Sequence, residues 1–148
     1  MMRLVLPLVL LAVLAGCRDQ RQQLGQALSG KPPVIAGSLA GEWQMADLNG
    51  GGAVAGGSLR LEGGDQNTVS GTAGCNRFNG AWTQNDGTLK LGPFAATRRA
   101  CPPPLMEVER RVLALLAAVN SVTFTRDGEA RLATPDGRKL LLRRPPAN

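Results

Sequence analysis

The chain contains no histidine and no tyrosine, and aromatic residues make up only 3% of its 148 positions. Without imidazole there is no Ser-His-Asp triad, no Cys-His dyad, no His-ligated zinc or haem, and no side chain whose ordinary pKa lies near neutrality. Most hydrolase mechanisms are excluded by that one absence. The few aromatics leave little for base stacking, so nucleic-acid binding is not expected. Three cysteines with no Cys-x-x-Cys pair are too few for a metal centre, and neither a metal nor a cofactor is expected. Long hydrophobic runs are also missing. The apolar stretch Leu4 to Val13 is about half of the roughly 20 residues that a membrane-crossing helix needs.

What is present begins with an export signal. Arg3 precedes that apolar run, and the small-residue stretch Leu14-Ala15-Gly16 precedes Cys17, in the order and lengths of a cleavable leader. Leu-Ala-Gly-Cys resembles the bacterial lipobox, which implies removal of residues 1–16 and acylation of Cys17. One fatty chain holds a protein only marginally, whereas two or three anchor it. Cys17 is thus expected to be a tether, with the membrane as its partner. An Asp directly after the cysteine resembles an inner-membrane retention signal; Arg18 stands there instead, so the outer membrane, facing the periplasm, is the expected location. Seventeen Lys and Arg against eleven Asp and Glu give +6, and loss of Arg3 with the leader leaves sixteen against eleven, or +5. Residues 17–38 are rich in Gln, Arg, Gly and Ser and contain Pro32-Pro33, a linker that would let the following domain range roughly 25 Å from its anchor.

From Leu39 onward the pattern is one of short strands. Ser58 to Glu62 and Thr88 to Leu91 alternate apolar with polar residues, as half-buried antiparallel strands do. Val122 and Phe124 alternate with Thr123 and Thr125. Asp127-Gly128 suits a two-residue type I′ turn, and Asp136-Gly137 repeats the signal before Lys139 to Arg143, so a three-stranded meander closes the domain. The exception is Pro102-Pro103-Pro104 followed by Leu105 to Val119. Leu105, Val108, Val112, Leu115, Leu116 and Val119 share one stripe, which predicts an amphipathic helix with that stripe in the core. Glu107 and Glu109 are expected near the positive end of its dipole, and Glu107 with Arg111 as an exposed pair. The expected fold is α+β: a mostly antiparallel sheet curled into an incomplete barrel, with one main helix packed against it.

An ordered series of motifs runs through this region. Leu39-Ala40-Gly41-Glu42-Trp43 and Asp47-Leu48-Asn49-Gly50 lead to Gly71-Thr72-Ala73-Gly74-Cys75-Asn76-Arg77-Phe78-Asn79-Gly80. Thr97-Arg98-Arg99-Ala100-Cys101 and Met106-Glu107-Val108-Glu109 follow. Together they resemble the META domain, the family of the heat-shock protein HslJ, over residues 39–144. The resemblance implies a curled antiparallel sheet with a packed helix, a cell-envelope setting linked to stress tolerance, and a domain with no established catalytic activity. Arg99 stands where the family pattern has Met, so that position is expected to face solvent or to add to a basic patch.

The remaining candidates are few. With Cys17 lipidated, Cys75 and Cys101 form an even pair in an oxidising compartment, and a disulfide is expected. It would close a loop of about 26 residues, worth roughly 3 to 4 kcal/mol of chain entropy. Two reduced, buried thiols are the alternative. Arg77 and Phe78, with Arg98 and Arg99 brought near by that link, are candidate contacts for a ligand or partner, the guanidinium groups suiting phosphate or carboxylate. Asn76 and Asn79 read as bend-forming residues, with Gly80 supplying a turn. The run Asn49 to Gly57 lacks a Gly-Lys-Ser/Thr signature and a following helix, so it reads as a mobile loop and not as a nucleotide cradle. No catalytic residue is assigned. The expected function is a monomeric, non-enzymatic envelope lipoprotein that binds or stabilises an envelope protein or lipid under stress. The alternative is a module for an anionic or apolar small ligand, such as a lipid or lipopolysaccharide fragment, held in the barrel mouth with Arg98 and Arg99 at its rim.

Overall fold

The structure, a computed structural model, describes residues 37–146; the leader, Cys17 and the linker up to residue 36 lie outside the described residues. The order of elements is β1 (Gly41–Leu48), β2 (Gly57–Glu62), β3 (Thr68–Ala73), β4 (Arg77–Asn85), β5 (Thr88–Leu91), β6 (Ala95–Ala96), α1 (Pro103–Ala118), β7 (Ser121–Phe124), β8 (Ala130–Ala133) and β9 (Lys139–Arg143). Alternation does what the sequence predicts: Leu59 and Leu61 point inward from β2 while Arg60 and Glu62 point out, and Leu89 and Leu91 do the same on β5.

The strands form one antiparallel sheet in the order β3-β2-β1-β9-β8-β7-β5-β4-β6, and pairing of β3 with β4 closes eight of them into a barrel. Closure is thin between β5 and β7. There the register holds one residue pair, Thr88 with Ser121, helped by the Leu89 N–H on the Asn120 carbonyl and the Val122 N–H on the Gly87 carbonyl. Trp43, Met45, Leu59, Leu61, Val69, Phe78, Leu132, Leu140 and Leu142 fill the interior, and α1 adds Val112, Leu115 and Leu116 from one side. An apolar ligand in the barrel mouth therefore has its volume already taken by side chains.

Several local expectations are corrected. Helix α1 begins at Pro103, with Pro102 before it, and its first turn carries no acid. Glu107 and Glu109 stand one turn further in, away from the free N–H groups of the helix start. Glu107 pairs with Arg110 through two hydrogen bonds of 2.9 and 2.7 Å, and not with Arg111. The turns at Asp127-Gly128 and Asp136-Gly137 are three-residue loops. Thr125 and Thr134 each donate an N–H to the residue four on and receive the glycine N–H, so only Gly128 and Gly137 take positive φ. The two-residue form occurs instead at Asp86-Gly87, where both φ values are positive.

The glycine-rich run is pinned where a mobile loop was expected. The Asp47 carboxylate accepts the Gly50 and Gly52 N–H groups at 2.6 and 3.0 Å, Val54 is buried, and Asn49 Oδ1 accepts the Lys139 N–H at 2.6 Å. A bulge between Met45 and Asp47 shifts the register against β9 and turns Asp47 toward this loop.

Two glycines separate steric from conformational cost. At Gly71 a Cβ would strike the Ser58 carbonyl oxygen and lie 2.9 Å from the Phe78 ring, whereas at Gly128 (φ +77°) it would meet nothing within 4 Å. Gly71→Ala is expected to cost at least about 2 kcal/mol, and Gly128→Ala about 1 kcal/mol from its left-handed backbone alone. Urea unfolding of the two variants checks the order; equal losses would contradict it.

Candidate functional site

The polar motif gathers at one end of the barrel. Both ends of the described chain lie at the other, where Gln84 binds Gly37 and Leu39 and Arg144 reaches Ala40 and Glu42. Between β3 and β4 the chain turns through Gly74, Cys75 and Asn76. Cys75 and Cys101 are joined by a disulfide, Cα to Cα 6.3 Å.

The Asn76 side chain is 4% exposed, and a buried amide must find partners for all its polar atoms. Its Oδ1 accepts from Thr97 Oγ1 and the Arg99 N–H, both at 2.8 Å. Its Nδ2 donates to Glu109 Oε1 at 3.1 Å and lies 3.4 Å from the Arg99 carbonyl. The Asn76 N–H donates to Glu109 Oε2 at 2.7 Å. One residue thus ties the β3–β4 turn, the β6–α1 segment and the helix together. Glu109, expected to serve the helix dipole, is instead the acceptor for this turn. Its spacing from Asn76 is non-local, so the motif Met106 to Glu109 carries the residue without showing its partner.

Arg77 points outward from the start of β4, its N–H donating to Thr97 Oγ1 at 3.2 Å. Arg98 and Arg99 follow Thr97, and both are exposed. Backbone contacts thus bring the three arginines into one neighbourhood, and among the described residues none of them has an acidic partner. Phe78 is placed elsewhere. Its ring is 3% exposed and meets Phe94 edge-on at 5.4 Å, so it is a core residue because the alternation of β4 turns it inward. Gly80 makes no turn: it lies within β4, where a Cβ would come 2.6 Å from the Pro93 carbonyl oxygen.

Beside this corner, an open trough of about 800 Å³ crosses the outer face of the barrel from β6 over β4, β3 and β2 to β1, with Pro145 at its far side. Arg77 lines it; Arg98 and Arg99 do not. Arg60 lies within it, paired with Glu62 and Glu42 at 2.8 Å each, and the Glu62 hydrogen bond and charge, then Glu42, raise its pKa. At the Pro145 side, the Arg144 guanidinium lies 3.7 Å over the Trp43 ring, and burial lowers its pKa. Among the described residues no three Cys, Asp or Glu side chains gather as a metal site would require.

The two kinds of residue at the corner should separate in unfolding measurements. Asn76→Ala keeps the backbone N–H to Glu109 but removes the Nδ2 donor to that half-buried carboxylate and the acceptor of Thr97 Oγ1 and the Arg99 N–H, and is expected to cost about 2 to 3 kcal/mol. Arg77→Gln, Arg98→Gln and Arg99→Gln should each stay within about 0.5 kcal/mol of wild type. Chemical denaturation checks both, and a costly Arg77→Gln would show that this arginine braces the fold.

Comparison with known proteins agrees with this architecture. A solved structure of a protein from Burkholderia xenovorans superposes with a TM-score of 0.59 at 21% identity, over 80% of this chain and 97% of that one. A second superposes with a TM-score of 0.54 at 25% identity, over 70% of this chain and 87% of that one. No curated protein matches. The META domain model matches residues 37–146, the whole of the described barrel and helix, and the chain belongs to the META domain family.

Proposed function

We propose that the chain is a lipid-tethered, non-enzymatic recognition domain of the bacterial envelope, which binds or stabilises another envelope component under stress such as heat or antibiotic exposure. The observation that carries this reading is the contrast at the motif corner. Asn76, Thr97 and Glu109 are consumed in bonds to one another and to backbone, while Arg77, Arg98 and Arg99 stand unpaired beside an open trough. Groups held in that way build a shape; unpaired guanidinium groups are the ones left to meet an anionic surface. The described chain enters the domain at the opposite end. The protein is a monomer in this reading, and a ligand meets its outer face because the interior is filled.

Two measurements test the proposal. In cells supplied with labelled palmitate, the wild type should carry label and fractionate with the outer membrane, while Cys17→Ser loses the label and becomes soluble. An unlabelled, soluble wild type would overturn the tether. Cross-linking in intact heat-stressed cells should give a discrete adduct that falls several-fold in the combined Arg77→Gln, Arg98→Gln, Arg99→Gln variant; an adduct indifferent to that change would remove the arginines from the reading.

A further inference from the structure

We propose that the outer trough is a binding site for an acidic glycan segment lying across the strands. The inference rests on the recognition reading above and specifies the class of its ligand.

The register lines up outward side chains in two rows. Gln44 stands opposite Ser58, Ser58 opposite Thr72, and Thr72 opposite Arg77. In the second row Glu42 faces Arg60, Arg60 faces Ser70, Ser70 faces Asn79, and Asn79 faces Ala95. At about 4.8 Å between strands, four strands present polar groups over roughly 14 Å, and Ala95 of β6 ends the second row. That pitch is comparable to the length of one pyranose unit in an extended glycan.

The chemistry of the rows fits hydroxyl-rich ligands. The side chains of Gln44, Ser58, Ser70 and Asn79 make no hydrogen bond to any described residue, unlike the amides of Asn67, Asn76 and Gln84, which are bound to backbone. Each carries both donor and acceptor capacity, as a sugar hydroxyl does. Ser58 and Thr72 are half-buried at the floor, and small residues there let a chain lie close to the sheet. Trp43 and Phe78 turn their rings inward, which leaves Ala95, Ala96 and Pro145 as the outward apolar groups.

Charge selects within that class. The lining holds Arg60, Arg77 and Glu42 as its charged side chains, and Glu62 pairs with Arg60 from beside it, so the four groups sum to zero. Arg60 is compensated by its two carboxylates, so Arg77 is the group left for a ligand carboxylate, at the β6 side.

The full chain in detergent micelles, titrated with an alginate oligosaccharide, tests the assignment by amide chemical shifts. Saturable shifts are expected at Ser58, Ser70 and Asn79, with affinity falling about tenfold in Asn79→Ala and in Arg77→Gln while circular dichroism stays unchanged. Ser70→Trp, which fills the trough, should abolish binding. A neutral cello-oligosaccharide should bind at least about tenfold more weakly. The proposal falls if alginate gives no saturable shift, if shifts are confined to Arg98 and Arg99, or if inorganic phosphate reproduces and displaces the alginate response. Failure here with the arginine-dependent cross-link intact would remove the glycan alone; loss of both would remove the recognition reading.

Discussion

The bond between Asn76 and Glu109 is where three separate pieces of chain meet. A buried amide is costly when unpaired, and Asn76 meets that demand by drawing in Thr97, the backbone of Arg99 and a carboxylate from α1. The helix has a narrow buried stripe, Val112, Leu115 and Leu116. Apolar contact alone holds its C-terminal half against the barrel, while the Glu109 carboxylate fixes the N-terminal half. The disulfide between Cys75 and Cys101 acts on the same joint, removing freedom from the unfolded chain where Asn76 adds direct contacts to the folded one. With that joint in place, the backbone of 97–99 has one position, and with it the emergence of three arginines from the surface.

The barrel separates its two chemistries by period-two alternation alone. The register that packs Leu59 and Leu61 against the core sets Ser58 and Arg60 on the outer rows. Likewise Phe78 and Trp82 fill the interior while Arg77 and Asn79 face out. An inward slip of one residue would exchange the faces and bury charge. The outer trough and the inner core are thus one constraint seen from two sides. Gly71 belongs to the inner set, opposite Leu59 and Phe78, and its missing side chain admits the Phe78 ring.

Much of this was legible in the sequence, and the limits are physical. Strands β2, β5 and β7 and helix α1 carry strong periodicity, and within residues 39–144 Cys75 has one possible partner, Cys101. The turn forms at 125–129 and 134–138 escaped because Asp-Gly suits a two-residue loop and a three-residue loop equally; what decides is the threonine that opens each one. The polar neighbours of Phe78 point to a surface contact, but one-residue alternation puts unlike residues side by side and turns its ring into the core. The trough and the Asn76–Glu109 bond depend on strand register and on contacts between distant segments, which no local window contains.

The pairing of β1 has a consequence for how the chain comes together. One edge of β1 is satisfied early, by β2, which follows after a pinned loop; the other waits for β9, near the end of the domain. In a chain synthesised and delivered from its N-terminus, β1 therefore remains an open sheet edge, with Trp43 and Met45 uncovered, until residues 139–143 arrive. Long-range pairing of this kind slows folding and leaves an edge exposed to strand exchange with other chains. For this domain the hazard of aggregation is concentrated in that interval before the last strand is seated, and ends when Arg144 closes over Trp43.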